Sequence, residues 1–223
     1  SRGEDYHEGG INVSAKMLEK ASIKDLIESG KKYSRMMLAS GTTTIEVKSG
    51  YGLSKKGELK ILEAIKKLGE EIPQQLVSTF LGAHSVPRGK KKENYVNEIL
   101  TEMIPEVTKR GLAEFCDVFC DRGFFSLKDS EKILKAARAA GLKLKIHADE
   151  IVRSGGAKLA GKLKATSADH LLKIKNSDIE ELKRGFVTPV LLPGTAFYLG
   201  KEYPPTNKMI DNNLPVALGT DFN

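Results

Sequence analysis

Seven short strand-like runs, most of them nearly unbroken and apolar, separated by segments of helical periodicity, limit what this 223-residue chain can fold into. The runs cover residues 42–47, 76–83, 115–119, 142–146, 165–168, 186–192 and 215–218. A strand with one wet face alternates apolar and polar residues. A strand covered on both faces does not, and parallel strands flanked by crossover helices are covered on both. The segments between the runs start and stop as helices do. Ser22, Ser126 and Ser177 each stand three residues ahead of a carboxylate (Asp25, Asp129 and Glu180), a pattern that caps a helix N-terminus. Gly41, Gly69, Gly111 and Gly141 follow helical stretches and read as C-terminal stops. Val96, Ile99, Leu100, Met103, Ile104 and Val107 recur at helical spacing. Strand and helix in alternation predict an α/β fold of the (β/α)8 TIM-like barrel kind. The count is one strand short. Ahead of residue 42 the sequence offers a helix and no strand, so the expectation is a partial barrel domain over residues 1–223 that lacks its first strand.

Composition narrows the class. Hydrophobic residues make up 40% and charged residues 29%, as in ordinary soluble globular proteins. A net charge of +7 and a pI near 9.2 raise the question of a nucleic-acid partner. The lysines argue against one. They alternate with Glu and Asp along helical segments, and no aromatic–basic interleaving accompanies them. No apolar stretch approaches the roughly 18 residues of a membrane span, and no secretory signal is visible. Cys116 and Cys120 fall on one face of a strand, roughly 13 Å apart, too far for a disulfide. A reducing, cytoplasmic setting is expected.

Chemistry concentrates where the runs end. His84 closes the second run, His147 the fourth and His170 the fifth, and Asp221 follows the seventh. Parallel strands of a barrel deliver their C-terminal ends to one rim. Histidine and carboxylate meeting there are what a hydrolytic metal site requires. Glu150, three residues past His147, falls in the following loop, within reach of a metal-bound water. Tyr51, between Gly50 and Gly52, would present a phenol from the turn after the first run. Taken singly, each has a plainer reading: a satisfied core histidine, a solvated loop carboxylate, an Asp bracing a loop, a turn aromatic packed on its neighbour. Their shared position at strand ends favours a site.

The motifs also form a recognisable set. Gly50-Tyr51-Gly52, Gly82-Ala83-His84, Asp117-Val118-Phe119-Cys120, Ile146-His147-Ala148-Asp149-Glu150, Ser167-Ala168-Asp169-His170, Leu192-Pro193-Gly194-Thr195 and Gly219-Thr220-Asp221 occur in order along the chain. Together they resemble the imidazolonepropionases, a family of the amidohydrolase superfamily acting in histidine degradation. The resemblance implies hydrolysis of the cyclic amide of imidazolone-5-propionate to N-formimino-glutamate by a metal-activated water, with zinc or iron as cofactor. It implies His147 and Asp221 as metal ligands, Glu150 as acid/base and His170 as its assistant. It implies Arg2, Tyr51 and His84 as substrate contacts, a small-molecule partner and compatibility with a homodimer. Another cyclic amidase of the superfamily, or a metal-free fragment that only binds, is the competing reading. Three family features have no counterpart here: a His-x-His pair on the first barrel strand, a terminal β-sandwich, and a second substrate tyrosine, for which Tyr6 is the nearest candidate. With two assigned ligands, the chain alone is expected to hold metal weakly.

Overall fold

All seven runs form strands in the computed structural model, which describes residues 10–222. Arg2 and Tyr6 lie outside the described residues. The elements are α1 (Gly10–Lys20), α2 (Ile23–Ala39), β1 (Thr44–Lys48), α3 (Lys55–Gly69), β2 (Gln75–Ala83), α4 (Lys92–Glu98), α5 (Ile104–Lys109), β3 (Phe115–Cys120), α6 (Leu127–Ala139), β4 (Lys143–Ala148), α7 (Gly156–Lys162), β5 (Ser167–His170), α8 (Asn176–Arg184), β6 (Thr188–Leu191), α9 (Pro193–Tyr198), α10 (Thr206–Asp211) and β7 (Ala217–Leu218). This is the α/β alternation expected, with strands paired in parallel within each of two compact units. Among the described residues no helix is long and apolar enough to cross a membrane.

The first unit holds the described residues through Cys116, with Ala139–Leu142. Here β1 and β2 run parallel, in register from Thr44↔Gln75 to Lys48↔Thr79. Helices α2 and α3 bury Ile27, Ala64 and Leu68 against Ile23, Leu26, Ile72 and Leu76. Gly30 permits that approach, because a Cβ there would stand 2.4 Å from Leu68 Cδ2. Ser22 caps α2 as read: its hydroxyl accepts from Asp25 N (3.2 Å), and Asp25 accepts from Ser22 N (2.9 Å). The helical spacing over residues 96–107 is real but not uniform. Between α4 and α5 lies a π-helical turn, Ile99–Met103. Pro105 has no N–H and its ring crowds the carbonyl four residues back; widening the turn accommodates both.

The second unit holds Asp117–Arg138 and the residues from Lys143 on. Its strands follow in the order β3-β4-β5-β6-β7. The β4/β5 register runs from Lys145↔Ser167 to Ala148↔His170. Helices α7 and α8 meet backbone to backbone at Gly161 and Gly185, where a Cβ would lie 2.3 Å from Glu181 O and 2.4 Å from Gly161 O respectively. Ser126 meets Asp129 as expected, its hydroxyl accepting from Asp129 N at 3.2 Å. Ser177 does not cap. α8 begins at Asn176, and Asp178 takes the capping role by accepting from Lys175 N at 2.8 Å. Gly69 likewise is the last residue of α3 rather than a residue beyond it. Cys116 and Cys120 are buried and form no disulfide.

Candidate active site

The second unit gathers four of the expected residues. His147, next to last on β4, is buried, and its Nδ1 lies 3.0 Å from Asp117 Oδ2 on β3. Asp169 of β5 stands opposite His147 in the ladder and accepts from Ser167 Oγ at 2.9 Å. Asp117, His147 and Asp169 offer ligand atoms all within 4.8 Å of one another, and all three residues are buried. One imidazole and two carboxylates form a nitrogen–oxygen donor set that suits a divalent cation. These residues therefore fit the metal that the motifs imply.

Glu150 and His170 stand beside this group. Glu150 Oε1 is 3.7 Å from His170 Nδ1, and the His147 and His170 ring centres are 5.2 Å apart. Burial, with the charges of Asp221 and Asp121, pushes the Glu150 carboxyl up to about 7, against the pull of His147 and Lys201. Burial and the neighbouring His147 push His170 down to about 4. At neutral pH His170 is therefore an uncharged imidazole, and its contact with Glu150 is not an ion pair. Asp221 is half-buried and accepts from Thr195 Oγ1 at 2.7 Å. Its charge is felt by both Glu150 and His170, but it stands outside the buried three-residue group.

The backbone around these groups is held in an unusual conformation. Asp149, His170 and Asp221 have φ of 53°, 72° and 51°. Non-glycine residues in this left-handed region cost about 1–3 kcal/mol each, and such positions gather at functional sites. Hydrogen bonds hold the turns in place. Asp149 accepts from Gly155 N (2.7 Å) and Ala157 N (2.8 Å), and its own carbonyl accepts from Lys173 N (2.9 Å).

The first unit brings Tyr51 and His84 together. His84 ends the loop-side extension of β2, its Nδ1 3.1 Å from Gly50 O, and its ring meets Tyr51 edge-on at 5.0 Å and 87°. Gly50 (φ 109°) cannot be replaced cheaply: a Cβ would lie 3.0 Å from Leu81 O and 3.1 Å from His84 Nδ1. The turn hangs on Glu58 of α3, fully buried, which accepts from Gly52 N (2.7 Å), Gly50 N (2.8 Å) and Leu53 N (3.0 Å). Burial raises the Glu58 carboxyl pKa, against the opposing pull of the Ser49 hydroxyl and these amides.

Sequence reasoning named the groups that end strands and missed those that hold them: Glu58, Asp117, Asp121, Asp149 and Asp169. A signal existed for two. Asp117 and Asp169 interrupt apolar runs, and carboxylates are almost never fully buried unless partnered.

No family model matches this chain. It is 47% identical over 219 residues to the imidazolonepropionase of Alkaliphilus metalliredigens (96% of this chain, 52% of the relative). It is 48% identical over 229 residues to that of Geobacillus thermodenitrificans (100% and 54%) and 44% identical over 227 residues to that of Haloarcula marismortui (100% and 54%). Among solved structures, guanine deaminase from C. acetobutylicum superposes with a TM-score of 0.68 at 16% identity, over 92% of this chain and 52% of that one. Adenine deaminase from Arthrobacter aurescens gives 0.67 at 16% identity, over 93% and 65%. At that identity the structures speak for the fold alone. The chain spans about half the length of the curated relatives it matches. Within that span the resemblance read from the motifs is borne out: over nearly its whole length this chain is similar to imidazolonepropionases.

Proposed function

We propose that the chain is the catalytic-barrel portion of an imidazolonepropionase, a single partial-barrel hydrolase domain over residues 1–223. The reaction is hydrolysis of the cyclic amide of imidazolone-5-propionate to N-formimino-glutamate, a small-molecule step of histidine degradation in the cytoplasm, by an enzyme that can form a homodimer. The observation that carries this reading is the buried cluster of Glu150, His170 and His147, a carboxyl with a pKa near neutrality beside a neutral imidazole and a histidine 3.0 Å from a buried carboxylate.

The residues divide the work as follows. His147 and Asp221 hold a divalent zinc or iron, with Asp117 and Asp169 beside His147. Such an ion, when bound, supplies an activated water at neutral pH. Glu150 takes the proton of the attacking water and passes it to the leaving ring nitrogen, a task suited to a carboxyl poised near 7. Neutral His170 donates a hydrogen bond to the oxygen on which charge develops. Tyr51 and His84 contact the ring, and the Arg2 guanidinium takes the propionate as a bidentate pair.

The test is turnover of imidazolone-5-propionate by the zinc- or iron-loaded enzyme, with elemental analysis of the same sample. Hydrolysis that rises with metal content and disappears on chelation is expected. Bound metal with no turnover of this substrate, and with turnover of another cyclic amide, would transfer the assignment to a different amidase.

A further inference from the structure

The β4–α7 loop, which carries Glu150, is held by a group that no motif points to. Asp121 is the first residue past β3, 29–31 positions from its partners, and is 4% exposed. Its Oδ2 accepts from Glu150 N at 2.8 Å and from Ile151 N at 2.9 Å. Its Oδ1 accepts from Val152 N at 3.2 Å and from its own neighbour Arg122 N at 2.7 Å. Three successive amides thus converge on one carboxylate. Successive N–H groups aimed at one point make a cradle for an anion, here filled by a side chain of the same unit.

Other ties act further along the loop, where Ser154 Oγ donates to Cys120 O at 2.8 Å and Arg153 forks onto Asp178 at 2.7 Å, and the amides of residues 150–152 turn to Asp121. The loop opens on Asp149, at φ 53°, a conformation that costs energy and persists only where its surroundings over-determine it. Asp149 is pinned from the far side by Gly155 N and Ala157 N. Glu150 is the next residue. Its backbone has Asp121 on one side, while its carboxylate stands 3.7 Å from His170. A carboxylate accepting charge-assisted bonds from three amides is a stiff anchor, because these bonds are roughly twice as strong as neutral ones.

We propose that Asp121 is a positioning residue for Glu150: from the end of β3 it clamps the amides of residues 150–152 and so fixes where the Glu150 carboxylate stands beside His170. This rests on the acid/base reading of Glu150 given above. Asp121 touches neither metal nor substrate in this scheme and acts only through the loop.

Two measurements test it. The first is amide hydrogen exchange of the folded protein. Asp121→Ala should speed exchange at residues 150–152 by at least tenfold, with core strand amides of β4 and β5 unchanged. The second is a double-mutant cycle in the metal-loaded enzyme. Asp121→Ala should lower kcat by about 10–100-fold with KM within about threefold and metal content unchanged, since displacing a catalytic group by an ångström costs about 10²-fold. In a Glu150→Gln background the same change should cost less than about threefold more, because its effect is spent through Glu150. Should Asp121→Ala fail to fold, Asp121→Asn, which keeps one acceptor oxygen, takes its place in both measurements. Unchanged exchange at 150–152, or full additivity with Glu150→Gln, overturns the positioning role alone. Wild-type turnover in Glu150→Gln overturns both this proposal and the acid/base reading on which it stands.

Discussion

Two loops of this protein are held by the same device, and the difference between them lies in where the device comes from. In each, a buried carboxylate accepts from three backbone amides of the loop. Glu58 reaches back from the first turn of α3 to residues 50–53 of its own loop, five to eight positions away. Asp121 reaches across from the end of β3 to residues 150–152, 29–31 positions away. The first loop is closed by its own following helix and presents Tyr51. The second is closed by a neighbouring strand and presents Glu150. A local clamp forms with its helix and depends on little else. A non-local clamp ties the loop to the packing of two adjacent strands, so the group it carries is placed relative to β3 and β4 together. That is the hold required by the proton-transferring role proposed for Glu150, since catalytic geometry tolerates only about half an ångström.

The two loops are therefore expected to fail differently. Glu150→Gln is the largest expected effect. It keeps the shape, the backbone bonds to Asp121 and the metal, and it removes the titrating carboxyl. General acid–base groups contribute about 10²–10⁴-fold, so kcat should fall in that range with KM little changed. Steady-state kinetics beside a metal assay decide it, and a variant with more than half of wild-type kcat removes the second loop from the chemistry.

The next effect belongs to the first loop and is one of stability. Glu58→Ala leaves three amides without their acceptor at a buried site. Each unsatisfied group costs about 1–3 kcal/mol, less where water enters, so a total of about 2–4 kcal/mol is expected. Urea unfolding measures it. A loss below about 0.5 kcal/mol would mean that the turn holds without its clamp and that the likeness between the two loops is superficial.

The contrast also explains what could be read from the sequence. The strands were readable because burial on both faces writes itself into consecutive residues, as in Val118, Phe119 and Cys120 of β3. The ends of helices were readable where the cap is local: Ser22 with Asp25, Ser126 with Asp129. Ser177 misled because its neighbour Asp178 does the capping instead, held also by Arg153, 25 positions away. The π turn hides in a helical pattern whose only mark is Pro105. Of the residues read from run ends and the loops after them, His147, Glu150 and His170 cluster within the second unit, where adjacent parallel strands carry them. The carboxylates that hold them were not. Nothing in a single sequence pairs Asp121 with residues 150–152, or Asp117 with His147, because those bonds follow from strand adjacency and not from spacing.

A smaller effect tests whether the first loop serves binding. His84 braces Gly50 O and meets the Tyr51 ring edge-on, so both side chains present one surface. His84→Ala should raise KM by about tenfold, the value of one good hydrogen bond or ring contact, and change kcat by less than about threefold. A kcat loss matching that of Glu150→Gln, with KM unmoved, would place His84 in the chemistry and erase the distinction between the loops.

The smallest effect sharpens the non-local half of the comparison. Arg153, in the same loop as Glu150, forms a forked pair with buried Asp178 on α8, Nε to Oδ2 and Nη2 to Oδ1 both at 2.7 Å. Burial opposes ionisation of Asp178, but the guanidinium and the Lys175 amide outweigh it and hold the carboxyl below its usual 3.8. A carboxyl whose folded pKa is lowered stabilises the fold in its ionised form. That contribution is complete above the unfolded value and disappears as pH falls through the folded one. Arg153 is 35% exposed, so solvent screens the pair and the gain is below about 1 kcal/mol. Asp178→Asn keeps an acceptor for Lys175 N and removes the charge. The stability gap between wild type and variant, from urea unfolding, should be level from about pH 7 to pH 5 and close below about pH 3.8. A gap that stays constant down to about pH 2.5 would show that the tie between loop and α8 is one of shape and packing. Residues 150–152 would then owe their hold to Asp121, with Asp149 and Ser154 fixing the rest of the loop.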